Sequence, residues 1–381
     1  MRVIVVGGGV MGLSAAAALM RCGHRVAVFE QGPIPNPLGS SVDQHRLIRH
    51  PYGPMLGYSR MIDPALAAWA RTWAEIGQTL IRPTSTLVVA RDDLSWARAS
   101  LEEMARAGIP SHELDRPALA ELCPWLCPDQ IELAALIESG GVLLAQDIVR
   151  ALAVHLVTRG ATVHTNTPVV EIDTAQASVT LEDGSRQRAD RVVIAAGPWV
   201  RDLVSSTSGR VKPSRQVVAY LAPPERYAAA WRRAPMLLDI HGRGGVYVVP
   251  PVAGTGLKVG DHSFSMRGHP DQRRTAESAE GAALMEACRG RLRALDDYQL
   301  LETKTCYYTV QREERFIIEP IDKALLMTGF SGHGFKFGAL MGELAAGVLS
   351  ERISAEDAKR IGAGDMADPA EITRLTSSCQ G

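Results

Sequence analysis

Three glycines spaced as Gly7-x-Gly9-x-x-Gly12, with an acid, Glu30, eighteen positions further on, are the residues of this chain whose spacing most directly implies chemistry. A pyrophosphate bound at a helix start must approach the backbone N–H groups closely, and a Cβ at those positions would hold it away. The helix dipole favours negative charge at the same place. An acid at this distance suits hydrogen bonding to ribose hydroxyls and disfavours a 2′-phosphate, so the spacing points to FAD or NAD rather than NADP. The motif needs a strand before it, a helix after it and a second strand ending on the acid. Arg2 to Val6 is a short β-branched run, Met11 to Arg21 is rich in Ala, Leu and Met, Gly23 stands where a helix would stop, and Arg25 to Phe29 leads into Glu30. These make one βαβ unit.

Two arginines, Arg46 and Arg49, follow in a Pro- and Gly-rich passage directly after that unit. Three apart, they would share one side of a helical turn. There they would receive a carboxylate in bidentate fashion or face a flavin's pyrimidine oxygens. Further on, Arg191 to Ala195 reads as a buried strand ending in Ala196-Gly197-Pro198-Trp199, and Ala324 to Met327 leads into a glycine-rich turn, Gly329 to Lys336, and a helix to about Ser350. Glycines at strand carboxyl ends are where an open α/β sheet meets its ligand.

Between these pieces the pattern predicts helices at Ala65 to Leu80 and Leu94 to Ala107, a strand at Thr86 to Ala90, and a short helix capped by Asp115 with Pro117 in its first turn. Then come a strand near Val142 to Leu144, a helix from Asp147 to Arg159, a strand at Ala161 to His164 and a hairpin around Glu182-Asp183-Gly184. From about Val211 to Lys304 the rhythm changes to alternating strands with one long helix, Thr275 to Leu295. The expected fold class is α/β, α+β overall: a Rossmann-like FAD-binding domain with an inserted mixed-sheet substrate domain. The expected division gives 1–90, 140–210 and 305–365 to the cofactor domain, 91–139 and 211–304 to the substrate domain, and 366–381 to a C-terminal tail.

The chain has 381 residues, 46% of them hydrophobic, with 41 Lys and Arg against 42 Asp and Glu. That balance gives no global field for nucleic acid or an anionic membrane. No apolar run reaches about 18 residues and the amino terminus goes straight into a strand, so a soluble cytoplasmic protein is expected. The cysteines are too scattered for a dense disulfide framework, and Cys123 and Cys127 lack a second pair at zinc spacing, so no metal site is expected.

Taken in order, the motifs resemble the monomeric sarcosine oxidase family, which includes pipecolate and N-methyltryptophan oxidases, within the wider D-amino-acid-oxidase-like flavoproteins. The resemblance runs through Gly39-Ser40-Ser41, Arg46-Leu47-Ile48-Arg49, Leu257-Lys258-Val259-Gly260-Asp261-His262, Cys306-Tyr307-Tyr308-Thr309 and Gly329 to Phe337. It implies FAD held by Gly7, Gly9, Val10, Met11, Gly12, Glu30, Gln31, Ser40, Ser41, Arg46, Val170, Ala196, Gly197, Trp199, Gly332, His333, Gly334, Phe335 and Lys336, with Cys306 as a thioether link. It also implies that Arg49 and Lys336 bind a substrate carboxylate. Lys258 would supply charge for O2 reduction and His262 would lie near the amine, with Tyr308, Tyr247, Arg46 and His45 alongside. One departure stands out: where the family reads Ser-His-Gly-x-Ser/Thr-Arg, this chain reads Ser41-Val42-Asp43-Gln44-His45-Arg46. The activity so implied is FAD-dependent oxidation of an N-methyl or cyclic amino acid by O2, with small-molecule partners only. Its rivals are a dehydrogenase using another acceptor and a non-catalytic flavin or NAD-binding protein.

Overall fold

β1 (Arg2–Val6) is buried from Val3 onward and pairs in parallel with β2 (Arg25–Phe29) on one side and with Arg191–Ile194 on the other. Burial on both faces explains its unbroken apolar run. Between β1 and β2 lies α1 (Val10–Arg21), whose alanines let Gly338–Leu349 pack closely on it; Gly342 lies against the backbone of Ser14. In this computed structural model, which describes residues 1–241, 244–366 and 368–377, the six-stranded sheet runs Ile317–Ile321, Ala324–Thr328, Arg191–Ile194, β1, β2, Thr162–His164. All neighbours are parallel except the first pair.

The second large sheet has eight strands in the order Gln299–Gln311, Val211–Ala222, Leu257–Asp261, Gly244–Val249, Met236–His241, Thr86–Ala90, Leu133–Ile137, Ser111–Glu113. It is antiparallel apart from Met236–His241 against Thr86–Ala90. Sheet membership thus cuts across the expected boundaries. Thr86–Ala90, counted with the cofactor domain, pairs inside the larger sheet, and the thirteen-residue strand Gln299–Gln311 runs through the boundary at 305. Pairing partners decide this, and they are too distant in sequence for local pattern to name.

Three other expectations change. The helix expected over Thr275 to Leu295 is Ser278–Ala287: a capping box of Glu277 and Glu280 fixes its start, and Gly290 and Ala294 in left-handed conformations turn the chain after it. The expected tail contains a helix, Pro369–Thr376, capped by Asp368, with Ile372 fully buried in the largest core cluster. Cys379 lies outside the described residues. The helix expected over Ala65 to Leu80 is Ile62–Ile76, closed by Gly77 at φ 69°. Among the described residues no helix is long and apolar enough to cross a membrane.

Candidate active site

A cavity of about 1150 Å³ opens along the carboxyl ends of β1 and β2. Seven glycines, Gly7, Gly8, Gly9, Gly39, Gly197, Gly332 and Gly334, are among its lining residues, so much of its wall is bare backbone. Each fingerprint glycine has its own reason. A Cβ on Gly7, at φ 109°, would overlap the Ala195 carbonyl, and one on Gly12 would overlap the Gly7 carbonyl; a Cβ on Gly9 would meet only the Ser41 hydroxyl, 3.0 Å away. Gly12 therefore serves helix-to-strand packing, while Gly9 keeps the cavity open. Glu30 is already fixed: its carboxylate accepts from Gly8 N (2.6 Å), Gly32 N (3.1 Å) and Asn36 Nδ2 (2.8 Å). Val10, Met11, Gln31, Ser40, Ser41, Arg46, Ala196, Trp199 and Phe335 line the same cavity. A groove of glycine backbone at a helix start, with a buried acid at its side, fits a pyrophosphate and a ribose.

Val170 does not belong here. It is 51% exposed, at a bulge between Val169 and Glu171, and its neighbour Val169 lines the cavity instead.

A second cavity, of about 970 Å³, adjoins the first; Arg46, Tyr308, Gly332 and Phe335 line both. This shared wall is the seam. It exists because Gly332, at φ 78°, has no side chain: a Cβ there would overlap the Tyr308 ring. The turn is braced by Ser331, whose N–H donates to Thr309 O (2.9 Å) and whose hydroxyl accepts from Gln311 N (3.1 Å).

The second cavity brings together Arg49, Tyr247, Lys258, His262, His333 and Lys336. Arg46 and Arg49 are not on a helical turn, as their spacing suggested; Arg46–Ile48 is a strand paired with Gly141–Leu143, and Arg49 follows its end. Arg49 is 7% exposed, and its Nε and Nη1 have no hydrogen-bond partner among the described residues. Its guanidinium lies 4.4 Å from the centre of the Tyr52 ring. Lys336 Nζ donates to Tyr52 Oη (3.0 Å) and His333 O (3.1 Å), so the two cations share one aromatic support. Burial, then Arg49 and Arg46, push the Lys336 ammonium well below its usual pKa. His262 is lowered to about 4 by burial and by Arg49 and Lys336, and His333 is held well below its ordinary value by burial and Lys336, so both rings are neutral near pH 7. Burial raises Tyr247 to about 12 and pushes Tyr308 well above its ordinary value, keeping both phenols protonated. The far wall, with Met55, Trp96, Leu238, Ile240 and Phe264, is apolar.

Two sequence-named residues stand apart from the cavity walls. His45 is fully buried beside Tyr220, with Nε2 3.2 Å from Gly256 O, and lines neither cavity; it stands just before the strand that begins at Arg46 and is held by the Tyr220 ring and the Gly256 carbonyl. Cys306 is a buried free thiol and is not among the residues lining either cavity, but it stands two positions from Tyr308 on the same strand and hence on the same face. Sequence reasoning missed Tyr52 and Trp96, which position Arg49. The signal was Pro51-Tyr52-Gly53, whose Gly53 at φ 57° packs directly against Trp96.

Residues 2–348 match the model of the family described as FAD dependent oxidoreductase. The chain belongs to that family. Among curated proteins this oxidoreductase is 29% identical over 363 residues to monomeric sarcosine oxidase of Bacillus sp. (strain NS-129), covering 90% of this chain and 91% of that one. It is 25% identical over 351 residues to N-methyl-L-tryptophan oxidase of Yersinia pestis (strain Pestoides F), covering 90% and 93%. Among solved structures it resembles NikD, an amino acid oxidase essential for nikkomycin biosynthesis, with a TM-score of 0.80 at 22% identity over 95% of this chain and 96% of that one. L-proline dehydrogenase from P. horikoshii gives a TM-score of 0.80 at 19% identity over 98% of each.

Proposed function

We propose that this chain oxidises a secondary amino acid, N-methylated or cyclic, to the imine, and that the electrons pass to O2 to give H2O2. The observation that carries the reading is Arg49: a buried guanidinium with two unpartnered N–H groups, beside Lys336, in a chamber sharing a wall with a glycine-lined cofactor groove. Buried donors left without partners are costly, and a carboxylate beside this guanidinium supplies a charged acceptor.

When bound, FAD supplies the two-electron acceptor for the substrate C–H bond. The chain's own residues do the rest. Arg49 and Lys336 fix the carboxylate, and the apolar wall keeps water from the reacting carbon. His262 stays neutral and offers a lone pair toward the amine, which must itself lose its proton before oxidation. As the carboxylate offsets Arg49 and Lys336, the His262 ring becomes more basic, because their charges help to hold it down. First-turn N–H groups of α1 and Glu30 would hold the pyrophosphate and ribose, and the Gly329-to-Phe337 turn the ring end. Cys306 is proposed as the covalent attachment point, supported by its shared face with Tyr308. The division into a cofactor domain and a substrate domain is likewise proposed, with the seam between them.

Adding sarcosine, proline, pipecolate, other N-alkyl amino acids and their D-forms to the purified protein without air should bleach its flavin colour with at least one of them. Admitting air should then restore the colour and release peroxide. A colourless protein, or colour that none of these compounds bleaches, overturns the reading; bleaching without peroxide release makes it a dehydrogenase.

A further inference from the structure

The departure Val42-Asp43 puts a carboxylate where the resembled pattern has glycine, and the fold carries it to a particular place. Asp43 is 2% exposed. Its Oδ2 accepts from Lys258 Nζ at 2.6 Å and pairs with Arg46, and its Oδ1 accepts from the Tyr220 hydroxyl and from Gln44 N (2.9 Å). Lys258 is itself 3% exposed and forms part of the second cavity's wall, while Arg46 belongs to the seam. Two cations and one anion thus form a buried cluster of net charge +1.

We propose that Asp43 is a positioning residue, the fixed counter-ion that keeps the Lys258 ammonium charged and pinned at the wall beside the seam. The proposal rests on the reading that flavin occupies the glycine-lined cavity.

The groups around Lys258 make a counter-ion necessary. From the loop come Asp43 and the carbonyl and ring of His45, and from the short strand Arg46. Val211–Ala222 sets Tyr220 opposite Lys258 in register, Gly244–Val249 contributes Tyr247 to the same cavity, and Gln299–Gln311 contributes Lys304 and Cys306, with Glu302 beside Lys304. Burial, Arg46 and Lys304 all disfavour the ammonium form, whereas Asp43 is the only carboxylate among the described residues with an ion pair to it. Removing one member of a buried pair leaves the other charge uncompensated, and a lysine so placed sheds its proton. Charge at this wall matters when O2 takes two electrons from the reduced cofactor and two protons and leaves as H2O2, because the first electron puts negative charge on oxygen.

The test uses the flavin-loaded protein with Asp43→Asn, Asp43→Glu, Lys258→Met and the double variant D43N/K258M. Between about pH 6 and about pH 9, D43N should show a one-proton transition in its oxidised flavin spectrum as Lys258 titrates. Wild type, D43E and D43N/K258M should show none. In rapid mixing with O2, reoxidation of D43N should be about tenfold or more slower than wild type at the alkaline end and recover at the acid end, as expected from losing one nearby charge. Its reduction by substrate should change little. The proposal is overturned if D43N shows no transition, or if its reoxidation is unchanged or faster at every pH. Should D43N fail to fold, the wild type still decides: a reoxidation rate that is flat across this range supports the counter-ion, and an inflection that disappears in K258M overturns it. A protein that binds no flavin refutes the functional reading; one whose flavin reacts normally but shows no transition in D43N refutes only the role of Asp43.

Discussion

The two cavities share a wall yet are built from different material. The first takes seven glycines into its wall, several of them at strand ends, and holds its one buried acid, Glu30, with three donors. The second is walled by side chains from distant parts of the chain and gathers buried cations, one of them with unpartnered donors. Backbone geometry holds a cofactor common to many enzymes; side chains select what reacts with it. Damage to the first cavity should therefore cost colour, and damage to the second should cost turnover while colour remains.

The strongest way to break this contrast is Gly12→Val. Its side chain would overlap the Gly7 carbonyl at the start of α1, a clash expected to exceed about 4 kcal/mol. Little or no flavin-loaded protein should be recovered, as read from the flavin-to-protein absorbance ratio; a yellow, stable variant would mean the fingerprint is not the cradle. Next come Arg49→Ala and Lys336→Met, each removing one cation from the carboxylate site. A lost charged partner costs about 2–5 kcal/mol, or about 30- to 5,000-fold in kcat/KM for flavin reduction, with flavin content unchanged.

The smallest effect concerns pH. The folded pKa values of His45 and His262 are lowered to about 3 and about 4, and that of His333 well below 6.5, in each case first by burial. These depressed values mean that the unfolded chain binds protons first as pH falls. The histidines' contribution to stability is thus fully present above the unfolded value of 6.5 and is lost as pH falls from there through their folded values. Melting temperature should drop across that interval, and His262→Asn should flatten the drop by one proton's share; a profile unchanged by this substitution would show that His262 is not held neutral by its surroundings.

What could be read in the sequence follows the same division. The β1–α1–β2 unit, its glycines and Glu30 were legible because their contacts are local: twenty-three positions separate Gly7 from Glu30. The positions of Lys258 and Lys336 needed the resemblance, since their partners Asp43 and Tyr52 lie 215 and 284 residues away. Strand phase was the other failure. Where a strand starts and where it bulges are set by pairing, so Val170, at a bulge, was chosen for Val169, and His45, just before a strand, was counted with Arg46. Asp43 was visible only as a break in a pattern; its role came from a fold that lays the loop across Leu257–Asp261.

The strand Gln299–Gln311 pairs along its length with Val211–Ala222 in the eight-stranded sheet, and through Tyr308 it also supplies a wall to the groove beside β1. An engineer who transplants that sheet from another family member to change which amino acid is accepted would therefore carry the flavin's neighbour, and the attachment thiol proposed beside it, into the new host. Retargeting such a scaffold is safer by repainting Leu238 and Ile240 at the far wall than by exchanging whole sheets.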